Sequence, residues 1–489
     1  MVNEAAERAQ GTSESPETAR EAPEVPGTPA PSAPAEGRGP SVPTSLEETG
    51  LDEPFVLDLL LRTLYRHGAT SGDRLERLLR LPYPIVDDPL LTLQQRRLID
   101  VRGTTGRGRR GYTFDLSDEG RSRARELLEN LGYVGPAPVP LATYRRWMER
   151  QSVRRARVTA EHIREGTKGL VLDESFLDIL GPAVNSGRSI FLYGHSGNGK
   201  TVIAEAVAEL IGGSIFLPWA IRADGQVIQV FDPAIHEPVG ESADTLDPGE
   251  HGDGTENGAS FVRRAPSHDP RFVEVERPVV IVGGELTLAQ LELQHDPATD
   301  VFRAPPQMKA NGGVLVIDDF GRQKVRPRDL LNRWMYPLEK HVDFLDLPTG
   351  QKLAVPFECL LVLATNLNPN DLVEEAFLRR IRYKILVENP TRPEYEEILR
   401  RACEARGVGY REEARDLIYR EFYAPLGIAP RKCHPRDLVH LVADRAGYTG
   451  EEAALSPGAV RWACRSYFLG PGGGEDGGGP EPTGGVHGG

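Results

Sequence analysis

The chain has 489 residues, too many for one ordinary domain, and its 27% charged and 39% apolar composition is that of folded units joined to polar segments. A net charge of −14 excludes indiscriminate nucleic-acid binding by the whole chain, and no apolar run approaches the roughly 20 residues needed to cross a bilayer. The first 50 residues lack the apolar core of a signal peptide, so a cytoplasmic protein that does not engage membranes is expected.

Residues 1–50 are rich in Pro, Ala, Glu, Ser and Thr without apolar periodicity, and disorder is expected there. A compact unit is expected over 51–133. Phe55, Val56, Leu59, Leu60 and Leu64 repeat at helical spacing; Leu75, Leu78 and Leu79 mark a second helix; Ile85, Val86, Leu90 and Leu93 mark a third. Strands at 98–102 and 112–116 then flank a loop carrying Arg107, Arg109 and Arg110, with Arg102 at its edge, and Ser117 caps a last helix. This order of elements resembles a winged helix domain. Its basic loop suits a phosphate backbone, which makes DNA one partner to test. Asp87 and Asp88, with Pro84 and Pro89, stand on the third helix where a major-groove reader needs Arg, Asn or Gln, which favours protein contact instead. Residues 134–164, a Pro-rich break followed by an Arg-rich stretch with Trp147, read as a linker.

Ser189 to Thr201 reads S-I-F-L-Y-G-H-S-G-N-G-K-T, an apolar strand running into G-x-x-x-x-G-K-T. A triphosphate needs a tight ring of donors. Gly194, His195, Ser196, Gly197, Asn198 and Gly199 supply inward-facing backbone N–H groups, Lys200 reaches the β/γ-phosphates, and Thr201 ligates Mg²⁺. The following helix adds its positive N-terminal end. ATP with Mg²⁺ is the expected ligand. A second apolar strand, Val314 to Ile317, ends in adjacent carboxylates: Asp318 for the metal shell and Asp319 for the attacking water. A third, Leu360 to Thr365, ends at Asn366, which can orient water against a γ-phosphate.

In this order the three motifs resemble the Walker A, Walker B and sensor 1 elements of an AAA+ ATPase. The likeness extends over 165–469 and implies an α/β fold: an αβα core over 165–388, a helical lid over 389–469 and then a disordered Gly-rich tail over 470–489. It makes Arg380, or its neighbour Arg379, the arginine finger and Arg436 the sensor 2 cation. Most family members carry Glu where this chain has Asp319. A hairpin expected within 337–357, just before sensor 1, resembles the branch that holds MoxR-type chaperones and bacterial enhancer-dependent activators, but the activators' G-A-F-T-G-A loop is absent. The resemblance implies a homo-oligomer, a hexameric ring, acting as a remodelling motor or chaperone on a protein client. A nucleotide-controlled DNA-binding switch is the other reading.

Between the first two motifs, residues 237–258 are acidic and Gly-rich and read as a loop, followed by a further core strand at 277–284. His236 and Glu237 lack a second ligand pair and read as loop solvation rather than metal ligands. Cys359, Cys403, Cys433 and Cys464 form no C-x-x-C pair and read as reduced thiols.

Overall fold

The computed structural model describes residues 39–104, 106, 108–240, 266–372 and 378–468. Its N-terminal body follows the expected order. Asp52 caps the helix Glu53–His67, and the helices Gly72–Leu79 and Tyr83–Gln95 follow. Ile99–Thr104 and Tyr112–Leu116 pair antiparallel, Thr70–Ser71 adds a third strand against Phe114, and Ser117 caps Asp118–Asn130. Leu59, Leu60, Leu75, Val86 and Phe114 fill its core.

Two segments depart from the sequence reading. Residues 40–50, expected to be disordered, are packed: Ser45 caps the short helix Leu46–Thr49, and Asp269 N–H donates to the Pro40 carbonyl at 2.7 Å. Arg271, buried against Asp269, also donates to the Thr49 carbonyl at 2.9 Å. The expected linker over 134–164 is not a spacer. Val139–Pro140 pairs parallel with Ile221 and Arg222, and the helix Leu141–Arg150 buries Tyr144 and Met148. Arg145 donates to the Ala354 carbonyl, and Arg154 pairs with buried Glu358 at 2.6 Å. These contacts reach partners far along the chain, which composition alone cannot reveal.

The N-terminal body shares its core with an inserted β region. Ala220, Val227 and Val301 belong to the same apolar cluster as Leu59 and Leu64, and the Arg222 guanidinium lies 4.4 Å from the Phe55 ring centre. The insert holds a five-stranded sheet in the order Gln294–Asp296, Val301–Arg303, Gln226–Gln229, Ala220–Ala223, Val139–Pro140, beside the antiparallel pair Ser214–Pro218 and Phe272–Glu276. His236 is buried here rather than solvated: it accepts from Asp232 N–H at 2.8 Å and its Nε2 lies 2.9 Å from the Lys309 carbonyl. Most of the acidic stretch, residues 241–258, lies outside the described residues.

The central sheet is parallel. Its strands are β1 (Ile190–Tyr193), β2 (Val279–Val282), β3 (Val314–Ile317), β4 (Leu360–Thr365) and β5 (Tyr383–Leu386), in the spatial order β2-β3-β4-β1-β5. β3 and β4 are buried throughout, and apolar but for Thr365, because helices cover both faces. Helix α1 (Lys200–Ile211) packs Ile203 and Val207 on one face, while α2 (Pro327–Lys340) brings Trp334 to the other. β1 lies beside β4, out of chain order, which opens a crevice at the carboxyl ends of the strands. Val342–Asp346 and Lys352–Pro356 form the expected hairpin ahead of β4.

The C-terminal bundle comprises α3 (Arg392–Arg406), Glu412–Ile418, a π-helical turn Tyr419–Tyr423, α4 (Cys433–Thr449) and α5 (Pro457–Tyr467). Tyr395, Leu399, Leu438, Val442 and Cys464 form its core. Among the described residues no helix is long and apolar enough to cross a membrane, and no three His, Cys, Asp or Glu side chains cluster as a metal site would require.

Candidate functional site

At the end of β1 the chain turns through residues that no side chain could replace. Gly194 has φ +136°, and a Cβ there would lie 2.3 Å from the Val387 carbonyl oxygen; at Gly197, φ +84°, it would lie 2.6 Å from Cys433 Sγ. Gly199 caps α1 without a side chain, so the first N–H groups of that helix are left for a ligand. Asn198 is buried and pins the loop: its amide donates to Asn389 Oδ1 at 2.8 Å and accepts from Lys432 N–H at 3.2 Å. His195 and Ser196 are exposed at the loop's tip.

Lys200 is buried and donates to the Gly194 and His195 carbonyls, both at 2.9 Å. Burial lowers its pKa, against the opposing pull of Asp318 and Asp319. Thr201 Oγ1 donates to Asp318 Oδ2 at 2.9 Å, which brings the two expected magnesium ligands into contact across 117 residues. Asp319 has φ +48°. Asp tolerates this left-handed conformation better than longer acids do, which accounts physically for its presence where the resembling family carries Glu. These groups line one cleft of about 630 Å³. Leu170, Leu172, Ile398 and Ala402 give it an apolar end, while Lys200, Lys432 and Arg436 make another part cationic.

The other expected residues are placed differently. Asn366 stands at the tip of β4 with its Oδ1 buried and without a partner among the described residues, and it does not line the cleft. Arg436 lines the cleft beside Asp437, 3.4 Å away. Arg379 and Arg380 do not line it; Arg379 is exposed, and Arg380 Nε donates to Glu339 Oε1 on α2 at 2.6 Å.

Sequence reasoning missed the residues that dock the bundle onto the loop. Arg431 donates to the Ser196 carbonyl at 2.9 Å, Lys432 Nζ to the Val171 carbonyl at 3.1 Å, and Cys433 N–H to the Gly197 carbonyl at 2.8 Å. The signal is the run A-P-R-K-C-H-P-R at 429–436, which leads into α4 and carries three cations, of which the resemblance assigns a role to Arg436 alone. His434 anchors this segment. It stacks on Tyr423, and its Nδ1 accepts from Arg431 N–H at 3.3 Å and lies 2.9 Å from the Tyr423 hydroxyl. Burial, then the nearby Arg431 charge, pulls its pKa down to about 4. The unfolded chain therefore binds the proton more readily. The stability this contributes is present above about pH 6.5 and is lost as pH falls toward 4. The melting temperature is expected to fall between pH 7 and 5, more steeply in the unsubstituted chain than in His434→Gln, as thermal scans at several pH values would show.

The basic loop of the N-terminal body is neutralised internally. Arg109 pairs with Asp87 at 2.8 Å, Arg110 with Asp73 and Glu76, and Arg102 with Asp115 at 3.5 Å; Arg107 lies outside the described residues. Asp87, on the third helix, thus holds the loop rather than facing a groove.

Residues 391–466, essentially the C-terminal bundle, match a family described as Domain of unknown function (DUF8689). Curated proteins give no match. Among solved structures, the Thermotoga maritima RuvB Holliday junction branch migration motor is similar at 14% identity over 63% of this chain and 68% of its own, with a TM-score of 0.32. NtrX from Brucella abortus is similar at 12% identity over 72% of this chain and 62% of its own, with a TM-score of 0.36. The same protein in complex with ADP gives 14%, 58%, 52% and 0.34.

Proposed function

We propose that the chain binds and hydrolyses ATP as an AAA+ ATPase. The observation that carries this reading is the contact of Thr201 with Asp318 beside a glycine loop, a buried lysine and an uncapped helix N-terminus. Thr201 and Asp318 fit a magnesium ion, which when bound neutralises charge on the β- and γ-phosphates. Lys200 leaves its two carbonyl partners for phosphate oxygens. Asp319 takes the proton of the attacking water; Asn366, at the tip of the neighbouring strand β4 with its Oδ1 unpartnered among the described residues, is the sensor of this reading, and it reaches that water only if its amide turns toward the cleft that it does not line. Leu170, Leu172, Ile398 and Ala402 seat the base. Arg431 joins Arg436 as a lid cation able to sense the phosphates.

The reading extends to assembly. Arg379 and Arg380 lie outside it, which supports a finger supplied to a neighbouring subunit in a homo-oligomeric ring. Output as a remodelling motor or chaperone is favoured over a DNA switch, because the loop arginines already hold carboxylates and the N-terminal body is fused to the insert. The hairpin ahead of β4 keeps the MoxR-type branch as the nearest reading of architecture. Specific ATPase activity of the full-length chain should rise with protein concentration through the assembly range. A constant specific activity over a 100-fold dilution would count against a shared site.

A further inference from the structure

Resting on the reading of Asp319 as the water-side acid, we propose that Gln323 is its positioning residue. Gln323 does not line the cleft, but its side chain spans the turn that carries Asp319. Nε2 donates to the Asp318 carbonyl at 2.8 Å, and Oε1 accepts from Gly321 N–H at 2.8 Å. Between these two points the backbone is left-handed twice, at Asp319 with φ +48° and Gly321 with φ +103°. A non-glycine residue in that conformation costs free energy and persists only where its surroundings hold it.

The neighbouring strands hold the turn at its other corners. Asp318 N–H donates to the Val282 carbonyl at 2.9 Å, and Phe320 N–H to the Ala364 carbonyl at 2.7 Å. The Phe320 carbonyl accepts from the Thr365 hydroxyl at 2.7 Å. These bonds fix 318 and 320 to the sheet; beyond Phe320 the chain leaves it, with Arg322 N–H donating to the Asp319 carbonyl at 2.9 Å and Lys324 N–H to the Gly284 carbonyl at 3.1 Å. There the Gln323 amide ties the far side of the turn back to the start, using both its donor and its acceptor. That use specifies Gln: Glu could accept from Gly321 but would set a carboxylate oxygen against the Asp318 carbonyl, and Ala could make neither bond. The Asp319 carboxylate is the one acid of the pair without the threonine contact, so its placement depends on the backbone turn beneath it.

The test uses the full-length chain with Gln323→Ala and Gln323→Glu, each alone and combined with Asp319→Asn. Steady-state kinetics with MgATP, calorimetric nucleotide affinity and amide hydrogen exchange over residues 318–325 are measured. Both single variants are expected to lose about 10- to 100-fold in kcat, the loss typical of a displaced reacting group, with KM and nucleotide affinity changed less than about threefold. Exchange at Gly321 should accelerate. In the Asp319→Asn background neither substitution should lower the residual rate further, because both act through one carboxylate. Unchanged kcat with unchanged exchange, or an equal loss in the Asp319→Asn background, would overturn the assignment. Absence of turnover in the unsubstituted chain would instead sink the ATPase reading, and the exchange at Gly321, which requires no turnover, would still decide whether Gln323 holds the turn.

Discussion

Arg380→Ala is expected to bind ATP normally and to lose hydrolysis by a factor on the order of 10³ or more, the effect of removing a cation from the transition-state charge on the γ-phosphoryl group. Binding should survive because Arg380 lies outside its own chain's cleft. Its ion pair with Glu339 is partly exposed on both sides, and such pairs contribute only about 0–1 kcal/mol, so a neighbouring subunit's nucleotide can compete for the guanidinium. Mixing gives the diagnostic result. Lys200→Ala subunits cannot hold nucleotide but still carry Arg380, so adding them to Arg380→Ala subunits should restore part of the turnover at mixed interfaces. No rescue at any ratio would favour a monomeric switch. Arg379→Ala serves as the comparison, since the two arginines adjoin and only the finger should show the large loss.

Lys200→Ala should have the larger effect on binding. The ammonium is buried, and its two donations to loop carbonyls keep the loop open in the shape a phosphate chain requires. Removing it leaves Asp318 and Asp319 without their nearest buried cation in a cleft that must accept a polyanion, so electrostatics turn against the ligand. Nucleotide binding should fall below detection, and ATP turnover with it.

The parts of the site legible in the sequence are those written locally. The glycine loop, the acid-tipped strand and the Asn-tipped strand each depend on residues within a dozen positions, and the parallel sheet brings their ends together at one edge. What stayed illegible is long-range. The anchoring of residues 40–50 needs Arg271, 222 positions beyond Thr49, and the fixing of the 134–164 segment needs Ala354 and Glu358. Nothing in a Pro-rich or Arg-rich stretch announces such partners. The basic loop is a similar case: its arginines are legible in the sequence, but the pairing of Arg102, Arg109 and Arg110 with Asp73, Glu76, Asp87 and Asp115 is set by the fold. His236 reads as solvated in the sequence because its partners, the Asp232 N–H and the Lys309 carbonyl, belong to an insert that the sequence signals only as a loop and one further strand between the first two motifs. Asp319 is the converse case. The sequence shows it only as a departure from the Glu of the resembling family; its left-handed backbone shows a residue type matched to its turn.

Calorimetric titration of MgATP into the full-length chain and into Lys200→Ala tests the central claim most directly. Saturable binding of about one nucleotide per chain, absent from the variant while its fold is retained by circular dichroism, is the result this account predicts. Equal affinity in both proteins, or no binding to the unsubstituted chain, would contradict it.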